Sequence, residues 1–452
     1  MASPLLARKL KTFDYFTLAF GTMIGAGWLV LMDDWLARGG PGGAMLGFAL
    51  GGVLLIPIGH VYGRLVVLMP DAASETAYAM RAFGPRSGFF TGWMMVLAYL
   101  LVCPWEALAI GKITAYFFPA LDRLPLYRMA GQPVYLPHLV LGLGLTLVIT
   151  AVNYRGIQIT SKLQNWFTVG FLGLFAFCSA VGARRGALHN FSPLFSHSPW
   201  ISVLLILQIV PYFMTGFESV PKCAEEARPG FLPRDFGRAI YMALLVGAAF
   251  YVLVVAAVCY ASPWRGLLNH SFATAVAFES GGESHWLVTL IFACAAASLV
   301  KIFNGNFVAS SRLIFGLGRA RLILPKLGEV HATNQTPWMA VLLVGAITVL
   351  TQLLGDNLLV SVTEVGSLAS AIGWLASCAS YYRLEASVRE RLIAGLGMLV
   401  ALSLVAIKLL PWSPGHLTGS EYLALLAWIL LGLGFRGAAL HRRANNQEVW
   451  DE

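Results

Sequence analysis

Three ionisable residues lie deep in apolar stretches of this chain: Glu106 in VCPWEALAIGK, Glu218 in QIVPYFMTGFESVPK and Lys301 in ASLVKIFNGN. A charge in such a setting is costly and marks a functional candidate. A buried carboxylate can carry a proton, receive a cationic group or pair with a lysine. A buried lysine can stand as a fixed positive charge or release a proton. Helix breakers accompany them. The stretch FGTMIGAGWLV, residues 20–30, places Gly21, Gly25 and Gly27 close together, and Glu218 sits among Pro211, Gly216 and Pro221. Proline and glycine together let a helix break. Inside a bilayer a break survives only where it is buried or lines a cavity. The free N–H groups at a break, with the positive end of a half-helix, make a seat for a carboxylate. The freed carbonyls can hold an ammonium group or a cation. The competing reading of Gly21 and Gly25 is close helix packing of the GxxxG kind.

The elements that position these residues are membrane helices. The chain has 452 residues, of which 58% are hydrophobic and 12% charged, and its mean hydropathy is +0.72. An ordinary soluble domain carries about 25% charged residues. Apolar runs of about 18 residues or more recur throughout, which reads as a polytopic helical membrane protein and not a β-barrel. Twelve spans are expected, at about 14–36, 42–69, 86–118, 136–153, 160–182, 200–224, 237–261, 284–318, 337–355, 358–382, 392–411 and 421–437. The N-terminus reads as a retained helix start, with no cleavable signal peptide.

The net charge of +9 comes from basic residues at the ends of apolar segments, which argues against nucleic acid. With the N-terminus in the cytoplasm, most of them fall on the cytoplasmic side, from Arg8, Lys9 and Lys11 to Arg436, Arg442 and Arg443. The other side holds Arg38, Arg123, Arg128, Arg184, Arg185 and Arg265. The positive-inside rule then puts both termini in the cytoplasm, and the protein is expected in a cell (inner or plasma) membrane. The six cysteines read as small hydrophobes in packed helices.

Interrupted helices at matching positions, first and sixth, are the sequence pointer to an inverted-repeat transporter. The expected organisation is a tail at 1–13, a first repeat at 14–182, a second at 200–384, two further helices within 391–437, and a tail at 438–452.

Four stretches then carry a resemblance: DYFTLAFGTMIGAGW, NYRGIQITSKLQNWFT, FMTGFESVPKCAEEARPGFLPRDFGRAI and NFVASSRLIFGLGRARLILP. In this order they resemble the first, fifth, sixth and eighth helices of the amino acid–polyamine–organocation (APC) transporters. The resemblance implies an all-α fold with a five-plus-five inverted repeat (the LeuT fold) and two extra C-terminal helices, working by alternating access. It implies that a substrate carboxylate meets the backbone N–H groups of Gly25, Ala26 and Gly27. The amine would meet carbonyls near Met23 and Ile24, and near Phe213, Met214 and Phe217, with Thr215 and Gly216 between. Phe217 is expected to act as a gate. Trp28 departs from the pattern of many relatives and is expected to reshape the pocket or its gate. Several relatives carry a lysine seven residues after the fifth-helix glutamine. Here the glutamine is Gln164 and that position is Phe171. Lys301 is expected to supply the missing positive charge.

Other polar residues are weighed more simply. His60 reads as a packing histidine, and Asp33 and Asp34 as a solvated vestibule. Glu225, Glu226, Arg228, Arg234 and Arg238 read as an inner gate by resemblance or as a solvated charge run. Pocket candidates are Trp93, Asn306, Phe307, Thr363 and Ser367. No metal-ligand spacing, catalytic triad or cofactor motif occurs, and GLGRAR follows no strand, so an enzyme is not expected. The reading is a secondary transporter of amino acids or related amines in the lipid bilayer, driven by protons, sodium or exchange. The alternatives are a polyamine or small-amine transporter and an amine-sensing membrane protein that transports nothing. Nothing in the sequence calls for an accessory subunit.

Overall fold

A computed structural model describes residues 5–129, 132–182, 186–270, 272–280, 285–355, 362–413 and 415–448. The elements run α1 (Thr12–Met23), α2 (Gly27–Val30), α3 (Met32–Leu54), α4 (Ile56–Leu68), α5 (Glu75–Phe83), α6 (Pro85–Leu100), α7 (Val102–Phe117), β1 (Pro125–Met129), β2 (Gln132–Tyr135), α8 (Leu136–Arg155) and α9 (Ile157–Gly182). The second half runs α10 (Pro199–Leu207), α11 (Val210–Met214), α12 (Ser219–Lys222), α13 (Arg234–Ala261), α14 (Ala273–Ser280), α15 (His285–Arg319), α16 (Trp338–Gln352), α17 (Val362–Leu384), α18 (Val388–Leu409) and α19 (Gly419–Glu448). Strands β1 and β2 form a small antiparallel hairpin. The architecture is an all-α membrane protein.

Among the described residues, nine helical stretches are long and apolar enough to cross a membrane. Pro85–Phe117 and Trp286–Arg319, with 33 and 34 residues, exceed the about 20 that span a bilayer upright and so fit a strong tilt. Three of the twelve expected spans lie outside these nine. The sixth is cut into α10, α11 and α12, the ninth is the 15-residue α16, and the tenth, α17, buries Ser367, Ser370, Ser377 and Ser380. The first and second spans are separated at Gly40, whose φ of 62° lies outside helical geometry, just before Pro41.

Helix α1 begins where Asp14 accepts the Lys11 N–H at 2.7 Å, a carboxylate at the positive end of a helix. It stops at Ile24, which is extended (φ −102°, ψ 108°). The chain re-enters a helix at Gly27. The core is built around this broken element: α1 packs against α13, α9, α15 and α12, and α15 packs against α9, α6 and α7. The six cysteines are buried and unpaired.

Candidate functional site

The second break mirrors the first. Helix α11 ends at Met214, Thr215 is extended (φ −65°, ψ 132°), and Gly216 takes a φ of 141°. Only glycine adopts that angle readily. A Cβ at Gly216 would lie 2.7 Å from the Met23 backbone nitrogen, so the two breaks touch here. Tyr251 of α13 ties them further. Its hydroxyl lies 3.1 Å from the Met23 carbonyl and 3.1 Å from the Phe213 carbonyl.

The three glycines of the first break each admit a neighbour. A Cβ at Gly21 would fall 1.8 Å from Gln164 Nε2, one at Gly25 2.4 Å from Glu106 Oε1, and one at Gly27 2.9 Å from the Phe213 ring. Their role is close approach by polar and aromatic side chains at the break, beyond the helix packing that Gly21 and Gly25 alone suggest.

The freed backbone groups have internal partners. Lys301, fully buried, donates its ammonium to the Ile24 carbonyl. Ser298 Oγ lies 2.8 Å from the Gly25 carbonyl and 3.2 Å from that of Ile24. Asn306 Nδ2 donates to the Thr22 carbonyl at 3.2 Å. On the N–H side, the Glu106 carboxylate lies close to Gly25, its Oε1 2.4 Å from where a Gly25 Cβ would stand. At the second break, Glu218 accepts the Gly216 N–H at 3.0 Å and the Trp374 indole N–H at 3.1 Å. Glu106, Glu218 and Lys301 therefore all reach the breaks.

Between the breaks lies a cavity of about 20 Å³, lined by Thr22, Met23, Gly25, Gly27, Leu31, Val102, Trp105, Glu106, Tyr212, Phe213, Thr215, Ile302 and Asn306. That is room for about one water. Of the residues expected at the site, Met23, Gly25, Gly27, Phe213, Thr215 and Glu106 line it, with Asn306 from the candidate pocket residues. Ile24, Ala26, Met214 and Gly216 are buried in the walls of the breaks.

Trp28 and Phe217 are not among the lining side chains. Trp28 turns away from the cavity and packs on Phe171, Phe175 and Phe250. Phe217 packs on Tyr62 and Trp374. Phe213, Trp105 and Leu31 line both this cavity and a second one of about 520 Å³. Asp33, Asp34, Arg38, Glu364 and Glu421 line that second space too. Trp93 stacks on Trp428 at 4.5 Å and lies elsewhere. Phe307 is buried in a separate apolar cluster. The Thr363 side chain lies outside the described residues.

Buried ion pairs gather near the N-terminal segment, where Leu10 pairs with Ala227. Lys222 pairs with Glu75 at 2.6 Å and Arg312 with Glu226 at 2.8 Å, all four side chains fully buried. Arg319 bridges Asp71 and Glu225, and the Tyr15 hydroxyl donates to the Cys223 carbonyl at 2.8 Å. Of the expected inner charge cluster, Glu225 and Glu226 join these pairs, and the Arg228 backbone N–H bonds the Leu10 carbonyl. Arg238 pairs instead with Asp235. His60 bonds Tyr241 and Glu390, each at 2.8 Å, away from the cavity.

Sequence reasoning missed Tyr251, Ser298, Trp105, Tyr212 and the Glu75–Lys222 pair. A tyrosine or serine in an apolar span gives no sign of which carbonyl it meets. Lys222, four residues after Glu218, did sit in the quoted break motif and offered a signal.

Residues 10–435 match a family model described as amino acid permease. The chain is similar to the branched-chain amino acid permease BcaP of Bacillus subtilis, 23% identical over 380 residues, covering 81% of this chain and 79% of that protein. It is similar to the aromatic amino acid transport protein AroP of Escherichia coli, 23% identical over 459 residues and 95% of each chain.

Proposed function

The chain belongs to the amino acid permease family, and on that premise we propose that it carries an amino acid across the cell membrane by alternating access around its two helix breaks. It is a membrane transporter and not an enzyme. The observation that carries the mechanism is the meeting of the breaks. Gly216 abuts Met23, and one hydroxyl, that of Tyr251, reaches carbonyls of both. A rearrangement at either break must then be felt at the other.

The five-plus-five repeat, residues 14–182 and 200–384, accounts for this pairing. With both termini cytoplasmic, the charged seal around Glu75, Lys222, Glu226 and Arg312 closes the inner path. Leu31, Trp105 and Phe213 form the thinner outer partition, with Phe213 as the gating aromatic in place of Trp28 or Phe217. The carboxylate of the substrate goes to the N–H groups of the first break. Its amine goes to the carbonyls of Met23, Ile24 and Phe213 as their internal donors move.

Lys301 serves as a tethered cation. Its ammonium takes the Ile24 carbonyl, a position a free cation would otherwise fill. This supports coupling to protons or exchange in preference to sodium. The names of the two relatives favour branched-chain or aromatic amino acids, and the lining by Trp105, Tyr212, Phe213 and Ile302 suits such side chains. A second reading, a small amine or polyamine as substrate, draws on Asp33 and Glu421 in the outer space, where Asp34 and Glu364 are paired with Arg38 and Lys408.

Uptake of labelled amino acids and amines into proteoliposomes of the purified protein tests this. Accumulation of amino acids supports the proposal. Accumulation of amines alone moves the assignment to the second reading.

A further inference from the structure

The two breaks are filled differently. At the second, both oxygens of Glu218 are bonded, to the Gly216 N–H and the Trp374 indole. Each of its oxygens therefore has a donor. At the first, the Glu106 carboxylate lies beside the break, with its Oε1 2.4 Å from where a Gly25 Cβ would stand, and its Oε2 is buried and finds no partner among the described residues. An unmet carboxylate oxygen inside a membrane protein is a high-energy arrangement and needs a reason. Glu106 is only 2% exposed, and it lines the small cavity itself.

We propose that Glu106 is a built-in ligand of the first break: its carboxylate holds the N–H seat that a substrate carboxylate takes, and the substrate enters by displacing it. This rests on the reading of the chain as an amino acid transporter.

Three observations beyond the unmet oxygen lead there. A cavity of about 20 Å³ cannot take an amino acid, so a lining group must move for one to bind. The N–H groups between α1 and α2 form one small seat, and two carboxylates cannot share it without strong like-charge repulsion. Glu106 also has the means to move. Its helix keeps helical angles at Leu101 (φ −65°, ψ −24°), but Pro104 offers no N–H to the Leu100 carbonyl, so one bond of the ladder is missing just before Glu106. Lys301 is the opposite charge that acts on it, and remains to receive it. Gly25 completes the arrangement, since a Cβ there would meet Glu106 Oε1 at 2.4 Å and Ile302 Cδ1 at 2.6 Å.

A carboxylate therefore stands at the break when no substrate is bound. Substrate binding exchanges one carboxylate for another, which favours ligands that bring their own carboxylate and gives no such gain to amines lacking it.

The test uses the full-length protein in lipid nanodiscs, reading melting temperature and the affinity for L-leucine and L-phenylalanine. Glu106→Ala empties the seat. Sodium acetate, with sodium chloride as the ionic control, is expected to raise the melting temperature of this variant and not of the wild type. Affinity for the amino acids is expected to rise about tenfold once the competitor is gone. Glu106→Gln keeps the side-chain volume without the charge. It gives the same rise in affinity if the alanine variant does not fold. Melting of Glu106→Ala that ignores acetate, or amino acid affinity that stays level or falls in both variants, overturns the proposal. Acetate stabilisation with no amino acid bound by any form leaves the built-in ligand standing and removes the amino acid reading instead.

Discussion

The Lys301 ammonium stands 4.5 Å from the centre of the Phe171 ring and 5.3 Å from that of Phe20, with its hydrogen bond directed to the Ile24 carbonyl. A carbonyl and two aromatic faces thus surround a fully buried charge. Cation–π attraction strengthens when the cation is desolvated, to about 2 kcal/mol. Phe171 is therefore a partner of the charge and not merely its replacement.

Lys301→Ala would leave the Ile24 and Gly25 carbonyls and Ser298 Oγ around an unfilled position. These are hard oxygen donors suited to a small cation. Sodium chloride is expected to raise the melting temperature of this variant over choline chloride, and to leave the wild type unchanged. A variant indifferent to sodium would contradict the tethered-cation role.

Tyr251→Phe removes a hydroxyl that reaches both breaks. The loss of a buried hydrogen bond costs about 1 kcal/mol, more where the acceptors are left unmet. Chemical denaturation in detergent should show that loss, and uptake should fall further than stability does. Wild-type uptake by this variant would show that the breaks move without the tie.

Lys222→Met leaves Glu75 charged and unpaired in a fully buried site. Breaking such a pair costs about 3–5 kcal/mol, whereas removing both charges is often neutral. The single variant should melt well below the wild type, and Glu75→Gln with Lys222→Met should recover most of the loss. Equal melting of the single and double variants would mean that the pair carries no stability.

Gly25→Ala forces a Cβ against Glu106 and Ile302, an overpacking worth about 1–3 kcal/mol. Binding of amino acids is expected to be lost with it. Gly170→Ala, at a position with nothing within 4 Å, is the matched control and should leave both binding and stability unchanged.

Trp28→Phe should leave the order of preferred substrates unchanged, because the ring packs on Phe171, Phe175 and Phe250 and not on the cavity. Phe213→Ala should change it. Competition of labelled uptake by a panel of unlabelled amino acids separates the two.

The helices and both breaks were legible in the sequence because hydropathy, glycine and proline act locally. Glu106, Glu218 and Lys301 stood out because charge is rare in apolar spans. Side-chain direction was not legible. Trp28 and Phe217 sit at the breaks in sequence yet face neighbouring helices, since the turn of a broken helix follows from its tertiary partners. Tyr251 and Ser298 act through backbone carbonyls from other spans, and no residue pattern marks which carbonyl a hydroxyl will meet. The Glu75–Lys222 pair joins positions far apart in the chain, so only the packing of α12 against its neighbours reveals it.

Uptake of labelled amino acids into proteoliposomes, with the wild type beside Gly25→Ala and an imposed proton gradient or an internal amino acid, bears most directly on transport at the paired breaks. The account predicts accumulation of at least one amino acid by the wild type and none by the folded variant. Equal uptake by both, or no uptake of any amino acid by folded wild-type protein, would contradict it.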